Sequence, residues 1–199
     1  MKTVRLKGWR VGSGWLVAVL VAVLSVGVSL SEPAAAHEGH SGPLIEYLKT
    51  NDALRAMLPQ GAKVTRRKQE TSDAARTWAE DAFGIRPAGG MQTYYLARDS
   101  ETGVVTGAAM VQELKYGHGE LHLAIGVDPD GNVTRAAVLA VHRKYVAEVK
   151  GSVGSGFIDS LSGVDIGSIA GDGKKKPPES RKMFARVAAT VAALLHDVE

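Results

Sequence analysis

Leu121-His-Leu-Ala-Ile-Gly-Val-Asp-Pro-Asp-Gly131 is the stretch on which the fold turns. Leu121, Leu123, Ile125 and Val127 alternate with His122, Ala124 and Gly126, which is the period of a β-strand. Asp128-Pro-Asp-Gly131 then predicts a hairpin, because Gly131 accepts the positive φ that such a turn requires. Asn132 to Val141 returns as the partner strand. Working backwards, Thr93 to Ala97 and Val104 to Leu114 read as two further strands, joined by the turn Asp99-Ser-Glu-Thr-Gly103. Gly107 leaves room in the second of them for a close neighbour. Tyr116-Gly-His-Gly119 reads as a glycine loop leading into the central strand. Together these segments predict an antiparallel meander.

Helical spacing governs the flanks. Pro43 opens a pattern with Leu44, Ile45, Leu48, Leu54, Met57 and Leu58 apolar. Asn51-Asp52 interrupts it and Pro59-Gln-Gly61 ends it. Ala62 to Gln69 reads as a short strand, polar enough for an edge. Thr71-Ser72-Asp73 supplies a cap for a second helix carrying Ala75, Trp78, Ala79 and Phe83, with Gly84 as its stop. Downstream, Gly154-Ser-Gly156 leads into a short helix through Phe157, Ile158 and Leu161 that ends at Gly163. Ile166 to Pro178 reads as a loop. From about Glu179 a long helix carries Met183, Phe184, Val187, Val191, Leu194, Leu195 and Val198 as one apolar stripe, suited to covering the sheet. The predicted class is α+β, an antiparallel meander packed with helices.

The chain starts with Lys2, Arg5, Lys7 and Arg10, followed by an apolar run from Trp15 to Leu30 and by Ala34-Ala35-Ala36. A charged start, a short apolar core and small residues at the cut site describe an export signal over residues 1–36. The competing reading is an uncleaved anchor, for which the run is slightly short of the roughly 20 apolar residues a span needs. Either way the domain at 44–199, after a flexible linker at 37–43, is expected outside the cytoplasm, in a periplasmic or equivalent space. Membrane contact is expected only if the segment stays attached. Four of the 24 Lys+Arg and one of the 21 Asp+Glu precede His37, which leaves 20 of each in the remainder. Net charge therefore gives no case for nucleic-acid binding. With no cysteine, disulfides, Cys-ligated clusters, Cys-attached haem and thiol catalysis are excluded.

Four segments, in order, carry a resemblance. They are Leu54-Arg-Ala-Met-Leu-Pro59, Thr106-Gly-Ala-Ala109, Tyr116 to Gly131, and Phe157-Ile-Asp-Ser-Leu-Ser-Gly163. Their sequence from about Leu54 to Leu195 resembles the FMN-binding domain of the periplasmic subunits of ion-pumping redox complexes. Those are the G subunit of the Rnf complex and the C subunit of the sodium-translocating NADH:quinone oxidoreductase. The resemblance implies an electron-transfer module or accessory more than a self-sufficient enzyme. It implies as partner a membrane redox complex or another extracytoplasmic electron-transfer protein. In that family a threonine before the last helix is esterified by FMN phosphate. Here Lys174-Lys175-Lys176-Pro177 falls on that segment, with Ser180-Arg181 on its end. Proline has no hydroxyl, so the resemblance predicts FMN held without a covalent bond, or a domain of this fold that binds no flavin and serves as a structural or interaction module.

Under the flavin reading, Lys174, Lys175, Lys176, Ser180 and Arg181 gather phosphate at a helix N-terminus. Gly117 and Gly119 allow backbone to approach the ring, and His142 lines the cleft, against a reading as an exposed strand end. The competing reading of the lysine run is a solvated basic loop. A metal reading rests on His118, Glu120 and His122, which share a face if the strand extends that far. It competes with an ordinary polar strand face. His37, as a new N-terminus, and His40 offer nitrogen ligands suited to copper, against a reading as plain polar linker.

Overall fold

The computed structural model describes residues 41–171 and 176–198. Residues 1–36, where an export signal is expected, His37, His40, Lys174 and Lys175 lie outside the described residues.

The meander forms as its alternation predicts. Strands β2 (Lys63–Glu70), β3 (Met91–Arg98), β4 (Val105–Tyr116), β5 (Gly119–Val127) and β6 (Val133–His142) pair antiparallel in sequence order. The Asp128–Gly131 turn closes β5 onto β6 with Gly131 at φ +82°. Gly107 carries φ +149°, and a Cβ there would lie 2.9 Å from the Val127 carbonyl oxygen. Strand β2 is an edge, in line with its polarity.

Two β6 neighbours depart from the reading of the sequence. Leu44–Glu46 forms a short strand, β1, paired with β6, and the helix α1 runs only from Thr50 to Met57. Gly156–Phe157 is a strand, β7, on the other part of β6, followed by a 3₁₀ turn at Asp159–Leu161 where a helix is expected. In both places the apolar spacing fits helix and strand alike, and long-range pairing decides. Two short helices also go unpredicted, α3 (Val146–Ser152) and α4 (Ile166–Ile169), the latter inside the expected loop.

Helix α2 (Asp73–Phe83) is capped as predicted. Ser72 accepts from the Ala75 N–H, and Gly84 ends the helix in the left-handed region. Helix α5 spans Glu179–His196. Its stripe, through Phe184, Val187, Val191 and Leu194, packs on the sheet face that carries Tyr94, Leu96, Met110, Leu121, Leu123 and Ile125. The opposite face is paved with Ala97, Ala109, Ala124 and Ala137, which let α1 settle closely through Leu54 and Met57. A Cβ on Gly126 would lie 3.0 Å from Met57. An irregularity between β5 and β6 passes over Leu139 and keeps Val138 and Val141 on the α5 side. The architecture is α+β, with helices on both faces of an antiparallel sheet.

Candidate functional site

A cleft of about 530 Å³ opens between strands β3 and β4 and the first three turns of α5. It follows from two overlaid periods. On β4, Met110, Gln112 and Leu114 alternate toward α5. On α5, Met183 and Val187 recur four apart, as do Lys182 and Arg186 beside them. Met110, Leu114, Met183 and Val187 make an apolar floor. Lys115, Lys182 and Arg186 bring positive charge to its rim, with Glu179 in ion contact with Lys182 at 3.2 Å.

The polar groups of the cleft are ordered by one another. Gln112 Nε2 donates to Gln92 Oε1 at 3.1 Å, and Gln92 Nε2 donates to the Gly89 carbonyl at 2.9 Å. Thr190 Oγ1 accepts from Ala88 N–H at 2.9 Å and donates to the Arg186 carbonyl at 2.7 Å. The oriented amides of Gln92 and Gln112 line the cleft together with its apolar floor. The volume lies within the roughly 300–1,000 Å³ of small-molecule sites.

The residues singled out in the sequence sit beside this cleft in a tightly bonded corner. Gly117 and His118 form the tip of the β4–β5 hairpin, a tight turn where a longer glycine loop is expected. Gly117 has φ +59°, and the Tyr145 hydroxyl fills the space its side chain would need. That hydroxyl accepts from His118 N–H at 2.8 Å. The His142 ring packs against Gly119, 2.8 Å from where a Cβ would stand, and its Nδ1 lies 2.7 Å from the Gly42 carbonyl. Gly117, Gly119 and His142 are thus brought together, but none lines the cleft.

Ser180 and Arg181 are held from within. Ser180 is fully buried, its Oγ 2.5 Å from Ser152 Oγ at the end of α3. Arg181 Nε donates to the Ser152 carbonyl at 3.2 Å. Beside them Tyr116 OH donates to Glu148 Oε1 at 2.7 Å. Burial and the Glu148 carboxylate push the Tyr116 phenol up to about 12. The side chains of Ser180 and Arg181 are therefore taken up by the end of α3, with Glu148 and Glu179 adding negative charge beside the first turn of α5. Lys176 is exposed.

Glu120 and His122 share a face, with Oε2 and Nε2 3.0 Å apart, while His118 sits in the turn. Among the described residues no group of three metal-ligating side chains comes together.

Reading the sequence alone misses the cleft. Its signal was present in the i, i+4 pairs Lys182/Arg186 and Met183/Val187, but nothing local joins them to Gln92 and Gln112. No family model, curated protein or solved structure matches the chain.

Proposed function

We propose that this protein is an exported module that binds FMN without a covalent bond and passes electrons between extracytoplasmic partners. The cleft between β4 and α5 carries the reading. Its floor suits the dimethylbenzene side of a flavin, Gln92 and Gln112 suit the polar edge, and Lys115, Lys182 and Arg186 suit the phosphate. The flavin would supply the redox chemistry, and the protein groups would orient it and set its surroundings. Pro177, where the resembling family has its acceptor threonine, leaves no hydroxyl for an ester. The Lys174 to Lys176 run immediately precedes the helix that lines the cleft and forms a second candidate phosphate seat. A membrane redox complex is the partner the resemblance suggests, and the N-terminal signal supports a periplasmic location.

A second reading is a domain that carries no flavin and serves as a structural or interaction module. What favours it is that the Ser180 side chain, in the first turn of α5, is taken up by Ser152. Titration of the mature protein with FMN, followed by quenching of flavin fluorescence, separates the two. Saturable quenching that weakens about tenfold or more in Lys182→Ala/Arg186→Ala supports the flavin reading, as loss of charge-assisted contacts predicts. Absence of quenching supports the second. Lys174→Ala/Lys175→Ala/Lys176→Ala tests the alternative seat in the same assay.

A further inference from the structure

We propose that strand β2 is a docking edge that takes up an acidic, extended segment of a partner protein as an added strand. The inference does not depend on flavin binding. Among the described residues no strand pairs with the outer side of β2, which ends the sheet. The strand is eight residues long, pairs with β3 in unbroken register, and contains no proline or glycine. Every residue except Gln69 is exposed. The sheet's other end is the three-residue β1. Long open edges are normally shortened, bulged, covered or guarded by charged side chains, and on β2 charge is the guard.

Charge selects the occupant. Lys63, Arg66, Arg67 and Lys68 stand against one acid, Glu70. Lys63 and Arg67 project on the α5 side, where Arg67 lies beside the Tyr94 phenol. Arg66 and Lys68 project on the α1 side. None of the four makes an ion pair among the described residues. In an antiparallel pairing of two copies centred on Arg66 or on Arg67, that arginine would face its own counterpart, because residues directly opposite share a face of the sheet. Like charges directly opposite are unfavourable, so the pattern disfavours self-association. A strand bearing Glu or Asp on both faces meets cations on both. Main-chain hydrogen bonds would give affinity and these pairs specificity.

The test uses the mature protein and a fluorescein-labelled peptide of Glu-Glu-Thr-Thr repeats, which sets Glu on both faces of a strand, with a control carrying Lys in place of Glu. Anisotropy is expected to show the acidic peptide binding at least about tenfold more tightly, as several cross-strand opposite-charge pairs predict. Amide exchange in β2 should slow on binding. Replacing Lys63, Arg66, Arg67 and Lys68 together by Glu should exchange the preference toward the Lys peptide, and replacing all four by Gln should abolish it. Equal binding of the two peptides overturns the proposal. So does acidic-peptide binding with no slowing in β2, or binding confined to phosphatidylglycerol vesicles.

Discussion

Tyr116 and Glu148 join the end of the β4–β5 hairpin to helix α3 through a 2.7 Å hydrogen bond with the phenol donating. Because Tyr116 is buried beside that carboxylate, its neutral form is favoured in the folded protein. The folded value, about 12, lies above the ordinary phenol value of 10.0. The stabilisation is fully present below pH 10 and is lost as pH rises through about 12. Absorbance at 295 nm should show late titration that falls by one tyrosine in Tyr116→Phe, with Tyr94, which burial also holds above the ordinary phenol value, remaining. The variant should lose about 0.5–1.5 kcal/mol at neutral pH, the usual worth of one such bond.

Gly107 is a stricter position than Gly117. Alanine at Gly107 meets the Val127 carbonyl, a backbone atom held by the β4–β5 ladder, whereas alanine at Gly117 meets the movable end of Tyr145. Urea unfolding should show Gly107→Ala costing about 2–4 kcal/mol and Gly117→Ala less, since both carry positive φ but only one has a neighbour that can move.

Asp197 ties the two ends of the helical layer. Its carboxylate accepts from Ser72 N–H at 2.9 Å and from Ser72 Oγ at 2.5 Å, so the C-terminal end of α5 helps cap α2. A double-mutant cycle of Ser72→Ala and Asp197→Asn should give a coupling energy of about 1–2 kcal/mol by denaturant unfolding.

These interactions show which levels of structure were legible in the sequence. The Asp128–Gly131 turn, the Ser72 cap, the Gly84 stop and the start of α5 at Glu179 are local, and each is written in neighbouring residues. Leu44–Glu46 is not, because Leu44 and Ile45 fit a helix until β6 offers them a ladder. Helix α3 buries only Val149, so it carries no stripe to read. The candidate site was half legible. The corner of Gly117, Gly119 and His142 does assemble, but Tyr145 fills it. The cleft joins Gln92 to Thr190 across almost a hundred residues, which no local pattern encodes.

Met183→Trp should fill the cleft from the α5 side. Met183 packs only partly buried at the cleft floor, so the larger ring has room to enter the opening. FMN affinity, measured by fluorescence quenching, is expected to fall at least about tenfold, while unfolding stability changes by about 1 kcal/mol or less.

The central claim is noncovalent FMN. Its most direct test is the visible spectrum of mature protein recovered from a flavin-competent host, before and after acid precipitation. The account predicts yellow protein whose colour passes to the supernatant. Colour retained in the pellet would contradict the reading of Pro177, and colourless protein that also ignores added FMN would contradict flavin binding altogether.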